Sequence, residues 1–247
     1  MARSPLPAPL SSLRLWDVHL IEELRGVVGL LRDPHDIQNI YKIEDGLLET
    51  PSTCLAADFV RQQPGCAEII EERYLRNAAY DMDMMRQLPE GTLGREFAHH
   101  LDLYDFDPQY YQVNEVKDDA TYVLARIRET HDIWHVVTGF YPTPIGEIGI
   151  KAVELAQVRR PMAAVLCAGA VLRYMLRTPQ RFGDLLLAIS AGYQMGLHAK
   201  PLLAQKWEQM WDRPVEDIRR DMGIPELTDE NNGKLDPDGV KASRPNE

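Results

Sequence analysis

Residues 118–137 read DDATYVLARIRETHDIWHVV, and the reading of this stretch decides the fold. It reads as one long helix, with Gly139 as its natural stop, because glycine readily takes the left-handed conformation that ends helices. His131 and His135 lie near its C-terminal end, four residues apart, so both rings project from one face about one turn apart. Glu147 follows His135 by twelve residues. Thr143-Pro144 opens the next helix as N-cap and first-turn proline, which puts Glu147 in that helix's first turns. A helix–turn–helix hairpin, turning at Gly139 to Pro142, brings the two helix ends together. Asp132 sits about 100° around the helix from His131, at the edge of the same site.

Two imidazoles and two carboxylates form a donor set that suits one divalent metal ion, zinc or ferrous iron. A metal gives His131, Asp132, His135 and Glu147 a reason to converge that acids alone lack. Simpler readings exist for each part. Asp132 is four residues from Arg128 and pairs with it as an ordinary helix-surface ion pair. Glu147 sits favourably at a positive helix end whether or not a metal is present. The HDxxH spacing is also less specific than HExxH. A rival metal set would be His99 or His100, then His131-Asp132, then the distant Asp184, in the order some phosphohydrolases use. His99 and His100 are adjacent and face different directions, so a solvated or capping role is their default.

The rest of the chain is helical in pattern. Runs are expected over Leu13 to Leu31, Ile37 to Leu48, Cys66 to Leu75 and Met82 to Leu88. Thr92 with Glu96 resembles a capping box for a helix reaching Tyr104. Further helices are expected at Met162 to Arg177, Phe182 to Leu197, Leu202 to Met210 and Val215 to Met222. Pro108 to Val113 is the only extended candidate, too brief to seed a sheet. The reading is all-α: a single-domain multi-helix bundle over residues 13–226, a disordered lead-in over 1–12 and a disordered polar tail over 227–247.

Composition sets the outer limits. Of 247 residues, 45% are hydrophobic and 26% charged, enough for a sizeable core. A formal charge of -11 argues against generic nucleic-acid binding, which needs lysine and arginine on phosphates. The three cysteines form no CxxC and imply neither a disulfide framework nor a cysteine zinc site. No apolar run is long enough for a transmembrane helix. Exposed apolar helices would suit a homodimer.

Several spaced segments carry a family resemblance. His131-Asp132-x-x-His135, eleven residues and then Glu147 resembles the signature of the coenzyme Q biosynthesis protein 4 family. Leu88 to Phe97 resembles that family's LPxGTxGREY segment, Gly146-Glu147 its PTxxxGE segment, and Gly192 and Trp207-Glu208 its C-terminal region. The likeness runs from about Leu88 to Ile224. Pro142-Thr143 stands one residue closer to Gly146 than the family pattern has it, and Pro144 is an additional proline.

The resemblance implies an all-α protein of ubiquinone biosynthesis that attaches to a membrane without spanning it. It implies oxidative decarboxylation, with hydroxylation, at C1 of a polyprenylated 4-hydroxybenzoate-type precursor. The ligands would be His131, Asp132, His135 and Glu147, with Glu147 also catalytic and Arg126 or Arg128 pairing with the substrate carboxylate. Partners would be the prenylated aromatic lipid and other quinone-biosynthesis enzymes. The alternative role is a non-catalytic prenyl-lipid-binding scaffold for such a complex. Without a clear mitochondrial presequence, the expected location is the cytoplasm or inner membrane face of a bacterium, or the matrix side of the inner membrane in a mitochondrion. The helices Met162 to Leu172 and Leu185 to Leu197, rich in alanine and glycine, would either splay around a lipid tail or pack closely.

Overall fold

The structure, a computed structural model, describes residues 44, 47–48, 50–76, 79–107 and 115–234. Among them it is all-helical: α1 Pro51–Arg61, α2 Cys66–Glu71, α3 Met82–Arg86, α4 Leu93–Tyr104, α5 Asp119–Thr138, α6 Pro144–Gln157, α7 Pro161–Arg177, α8 Phe182–His198 and α9 Val215–Met222. The expected helix Leu13 to Leu31, most of Ile37 to Leu48, the extended Pro108 to Val113, the lead-in and the end of the tail lie outside the described residues.

Helix α5 is the axis. Asp118 and Thr121 close a reciprocal capping box at its start, and Gly139 at φ 82° ends it by donating to the His135 carbonyl at 2.9 Å. Tyr122, Val123, Ile127, Ile133, Trp134 and Val137 are all buried. Apolar residues that point every way around a helix mark it as central, not as a surface element. Helices α1, α2, α4, α6 and α9 all touch it.

The tightest helix pair is α6 with α8. A Cβ on Gly192 would lie 2.1 Å from the Gly149 carbonyl oxygen, and one on Gly196 would lie 2.7 Å from the Ala156 Cβ. Contacts advance together along both helices, from Gly149 and Gly192 to Ala156 and Gly196, so the two run parallel, joined through α7. The small residues of α8 therefore serve close packing against α6. The outer faces of α7 and α8 are different: Leu176 is 65% exposed and Leu187 50%.

Three local expectations change. Thr92 does not cap α4, because its hydroxyl donates to the Pro89 carbonyl at 2.6 Å. Instead the carbonyls of Arg213 and Trp211 accept from Leu93 N at 2.8 Å and Gly94 N at 2.9 Å, tying α4 to the segment before α9. Residues 202–210 form turns and one short 3-10 segment, Trp207–Gln209, in place of a helix. Their backbone is used in tertiary bonds: Leu202 N donates to Gln157 at 2.9 Å, and the Gln205 carbonyl accepts from Arg126 at 2.7 Å. Finally, α1 has no counterpart in the sequence reading. Its buried face is Thr53, Ala56, Ala57 and Val60, a helical spacing built of small side chains that gives little hydrophobic signal.

Candidate metal centre

The hairpin forms as the spacing requires. Thr143 accepts from Gly146 N through its hydroxyl at 3.1 Å and so caps α6, which carries Glu147. His131 Nε2 lies 3.2 Å from Glu147 Oε2, and His135 Nε2 lies 3.2 Å from Glu147 Oε1. The two Nε2 atoms are 3.3 Å apart. The three residues thus form a triangle in which each imidazole nitrogen meets its own carboxylate oxygen, and one ligand atom from each lies within 4.8 Å of the others. Ligands about 2.0–2.1 Å from a tetrahedral zinc are separated by roughly 3.3 Å, which is the spacing of the two imidazole nitrogens and of each nitrogen from its nearer carboxylate oxygen.

Proton placement supports the fit. The Phe140 carbonyl can only accept, so His135 Nδ1, 2.9 Å away, is the donor. That leaves Nε2 of a neutral His135 as a lone pair facing a carboxylate oxygen and a second imidazole nitrogen. Only a proton or a metal ion at that point relieves the contact. The electrostatics point the same way. Burial alone would raise the Glu147 carboxyl, yet the His135 and His131 rings outweigh it and hold it well below the usual range. Burial alone would lower His135, yet Glu147 and the Phe140 carbonyl raise it. Both shifts ask for positive charge at the centre. A ligating histidine whose other nitrogen donates to a backbone carbonyl is also the usual support for a bound metal. The His135 side chain is 1% exposed and Glu147 39%, so Glu147 is the more solvent-accessible of the two.

Asp132 stands next to these residues but outside the three-atom set, which consists of His131, His135 and Glu147 among the described residues. Burial pushes its carboxyl up, with the two histidines acting against that. The arginines expected near the substrate are engaged elsewhere. Arg126, fully buried, donates to Glu129 at 2.8 Å, to Glu208 at 2.6 Å and to the Gln205 carbonyl. Arg128 pairs with Glu44, its Nε donating at 3.1 Å. Glu44 also binds Arg160, which reaches Glu154 at 3.0 Å. The phosphohydrolase set, His99 or His100 with His131, Asp132 and Asp184, does not form a ligand group among the described residues: His100 lies against His135, but His99 is exposed and Asp184 pairs with Arg181 at 2.7 Å.

His100, for which the sequence reading expected a solvated or capping role unless it joined the rival set, is instead packed against the centre. Its ring stacks on His135 with centroids 5.6 Å apart, and its Nε2 is buried without a partner among the described residues. Burial, with His135 beside it, brings its pKa down to about 3, so it is neutral. Adjacency to His99 hid it, since only one of two neighbouring residues faces inward. Both line a cavity of about 690 Å3 that also reaches His135, Tyr104, Phe140, Tyr141 and Arg219.

Comparison with known proteins identifies the family. The family profile described as "Coenzyme Q (ubiquinone) biosynthesis protein Coq4" matches residues 31–228. The chain belongs to the Coq4 family. The mitochondrial Coq4 homologue of Aedes aegypti is 30% identical over 172 residues, covering 68% of this chain and 61% of the relative. That of Xenopus laevis is 31% identical, covering 68% and 59%. The chain thus spans about three-fifths of these relatives' length. The crystal structure of a Nostoc punctiforme protein assigned to ubiquinone biosynthesis matches with a TM-score of 0.75 and 33% identity, covering 83% of this chain and 98% of that one. The Coq4 resemblance read from the motifs, and the all-α class, are therefore correct. No helix among the described residues is long and apolar enough to cross a membrane.

Proposed function

We propose that His131, His135 and Glu147 hold one divalent metal ion, with Asp132 beside it. We further propose that the protein acts in ubiquinone biosynthesis on the head group of a prenylated aromatic lipid. The reaction would replace a ring carboxylate by a hydroxyl. That change is a two-electron oxidation of the substrate with loss of carbon dioxide. With dioxygen as oxidant, one oxygen enters the ring and the other leaves as water, taking two more electrons from an external reductant.

The observation that carries this reading is the convergence of three ligand atoms beside a cavity of about 690 Å3, in a Coq4 family member. A bound divalent ion supplies Lewis-acid polarisation or, if it is iron, redox chemistry. The chain supplies orientation. Phe140, Tyr141, Tyr104 and His100 line the cavity with aromatic surface that takes a planar ring. Arg219 is the cation in that wall, and it replaces Arg126 and Arg128 as the partner of a substrate carboxylate. It spends two donors on the Val137 and Val136 carbonyls, both at 2.9 Å, and a guanidinium has five.

Metal content by mass spectrometry tests the site. About one zinc or iron per chain is expected in the wild type and none in Glu147→Ala or His135→Ala, with both variants folded. The same variants are expected to abolish ubiquinone synthesis in cells that depend on this protein. Wild-type protein that takes up no metal after reconstitution would sink the reading.

The exposed leucines of α7 and α8 favour a second reading, a scaffold that binds prenyl lipid and other quinone-biosynthesis enzymes at a membrane surface. Normal ubiquinone synthesis in the metal-free Glu147→Ala variant would select it.

A further inference from the structure

The polar stretch after Thr228 has the composition of a loose tail, yet residues 228–234 are built into the hairpin. The Asn232 carbonyl accepts from Tyr141 N at 2.9 Å, and the Gly233 carbonyl accepts from the Thr143 hydroxyl at 2.9 Å. Asn232 is only 6% exposed. The segment is also held from within: Asn231 accepts from Thr228 N at 2.9 Å, and Lys234 pairs with Asp229 at 2.9 Å. Gly233 sits at φ 84°, where a Cβ would lie 2.5 Å from Gly146 N and 2.7 Å from the Thr143 hydroxyl. Only glycine allows this approach.

The turn that the segment grips carries the supports of the metal centre. Phe140, next to Tyr141, offers the carbonyl that fixes His135. Thr143 caps α6, and its carbonyl accepts from Glu147 N at 2.8 Å. The Thr143 hydroxyl has one hydrogen, which goes to Gly233, while its oxygen accepts from Gly146 N. Losing the Gly233 carbonyl therefore frees the hydroxyl that sets the first turn of α6. The segment lies past the family match, which ends at residue 228.

We infer that Asn232-Gly233 is a positioning strap for the metal centre: through Tyr141 and Thr143 it holds the His135 support and the Glu147 ligand in register. This rests on the metal reading above. The test uses full-length protein and cobalt(II) alone as the probe, with affinity measured by titration and ligand geometry by the visible absorption of the loaded protein. Gly233→Ala and Thr143→Val are expected to weaken cobalt binding about 10–100-fold, the usual effect of losing an outer support, and to alter the visible band. Thr143→Ser, which keeps the hydroxyl, is expected to restore both. Gly223→Ala is the control for left-handed strain, since Gly223 has φ 71° and only ordinary contacts. It is expected to bind cobalt as the wild type does. If Gly233→Ala fails to fold, Thr143→Val carries the test. Wild-type affinity and spectrum in the strap variants, with binding lost in His135→Ala, would overturn the strap alone. Undiminished binding in His135→Ala would overturn the metal reading and the strap with it.

Discussion

Helix α5 carries two kinds of buried polar cluster, and they differ in charge balance. Midway along it, Arg126 meets Glu129 and Glu208, while Arg128, Glu44, Arg160, Glu154 and Lys151 form a chain of alternating sign. Every charge there has an opposite neighbour. At the C-terminal end, two imidazole nitrogens and a carboxylate converge, and the partners of Glu147 among the described residues are the two histidines. A self-neutralising cluster builds the fold, whereas a cluster of lone pairs is what the proposed metal ion would neutralise. The same distinction separates Arg126 and Arg128, which are buried and ion-paired, from Arg219, which lines the cavity.

The sharpest way to break this contrast is to remove a cation from the balanced side. Arg126→Met takes the cation from Glu208 and leaves Glu129 with Arg76 at 3.9 Å, the two carboxylate side chains being only 13% and 4% exposed. A loss of about 3–5 kcal/mol is expected by urea unfolding, with cobalt binding per folded molecule unchanged. A stable Arg126→Met protein that has lost activity but kept its metal would return Arg126 to the substrate site.

Acid probes the same balance. Burial alone would raise the Glu154 carboxyl, but Lys151 at 2.8 Å and Arg160 at 3.0 Å bring it down to about 2 from an ordinary 4.5. The folded pKa is depressed, so the unfolded chain takes up its proton first as pH falls. The stabilisation is complete above about pH 4.5 and is lost between there and pH 2. It amounts to about 3 kcal/mol. Unfolding free energies at pH 6 and pH 3 should differ by about 2 kcal/mol of it, and Glu154→Gln should flatten the difference. An unchanged slope would mean that Glu154 is not held by its partners.

At the unbalanced end the expected effect is ligand-dependent. Metal at a hundred times its dissociation constant stabilises the fold by about 2.7 kcal/mol, removable with chelator. Metal-free His135→Ala should start less stable than metal-free wild type, because it empties a buried site and leaves the Phe140 carbonyl without its donor, and only the wild type should gain stability from added metal. A His135→Ala protein that responds equally would place the ion elsewhere.

The sequence disclosed this contrast unevenly. His131, His135 and Glu147 were legible because an i, i+4 step and a short turn place them by local geometry alone. So were α5 and α6, where Gly139 and Thr143 mark the ends, and the helices α7, α8 and α9, but not the stretch 202–210. Partner choice was not legible. Arg128 stands four residues from Asp132 and suggests that pair, but Glu44 reaches Arg128 from 84 positions away, and Glu208 reaches Arg126 from 82. Long-range pairing leaves no periodic trace. The strap was hidden for the related reason that polar composition says nothing about backbone carbonyls, which are what Asn232 and Gly233 contribute.

The smallest expected effect concerns Asp132, where sequence and geometry diverge most finely. The HDxxH pattern counts it as a ligand. In the structure it lies around the helix from His131 and adds no oxygen to the converging triangle. Its influence is then that of a nearby negative charge on a bound cation. Asp132→Asn should weaken cobalt binding less than tenfold, about 1 kcal/mol, and leave the visible band in place, since the ligand atoms are unchanged. Glu147→Gln, by contrast, alters a ligand and should change both. If Asp132→Asn shifts the band as strongly as Glu147→Gln does, the centre has two carboxylate ligands. The triangle would then be one face of a larger coordination shell that closes around the ion when it binds.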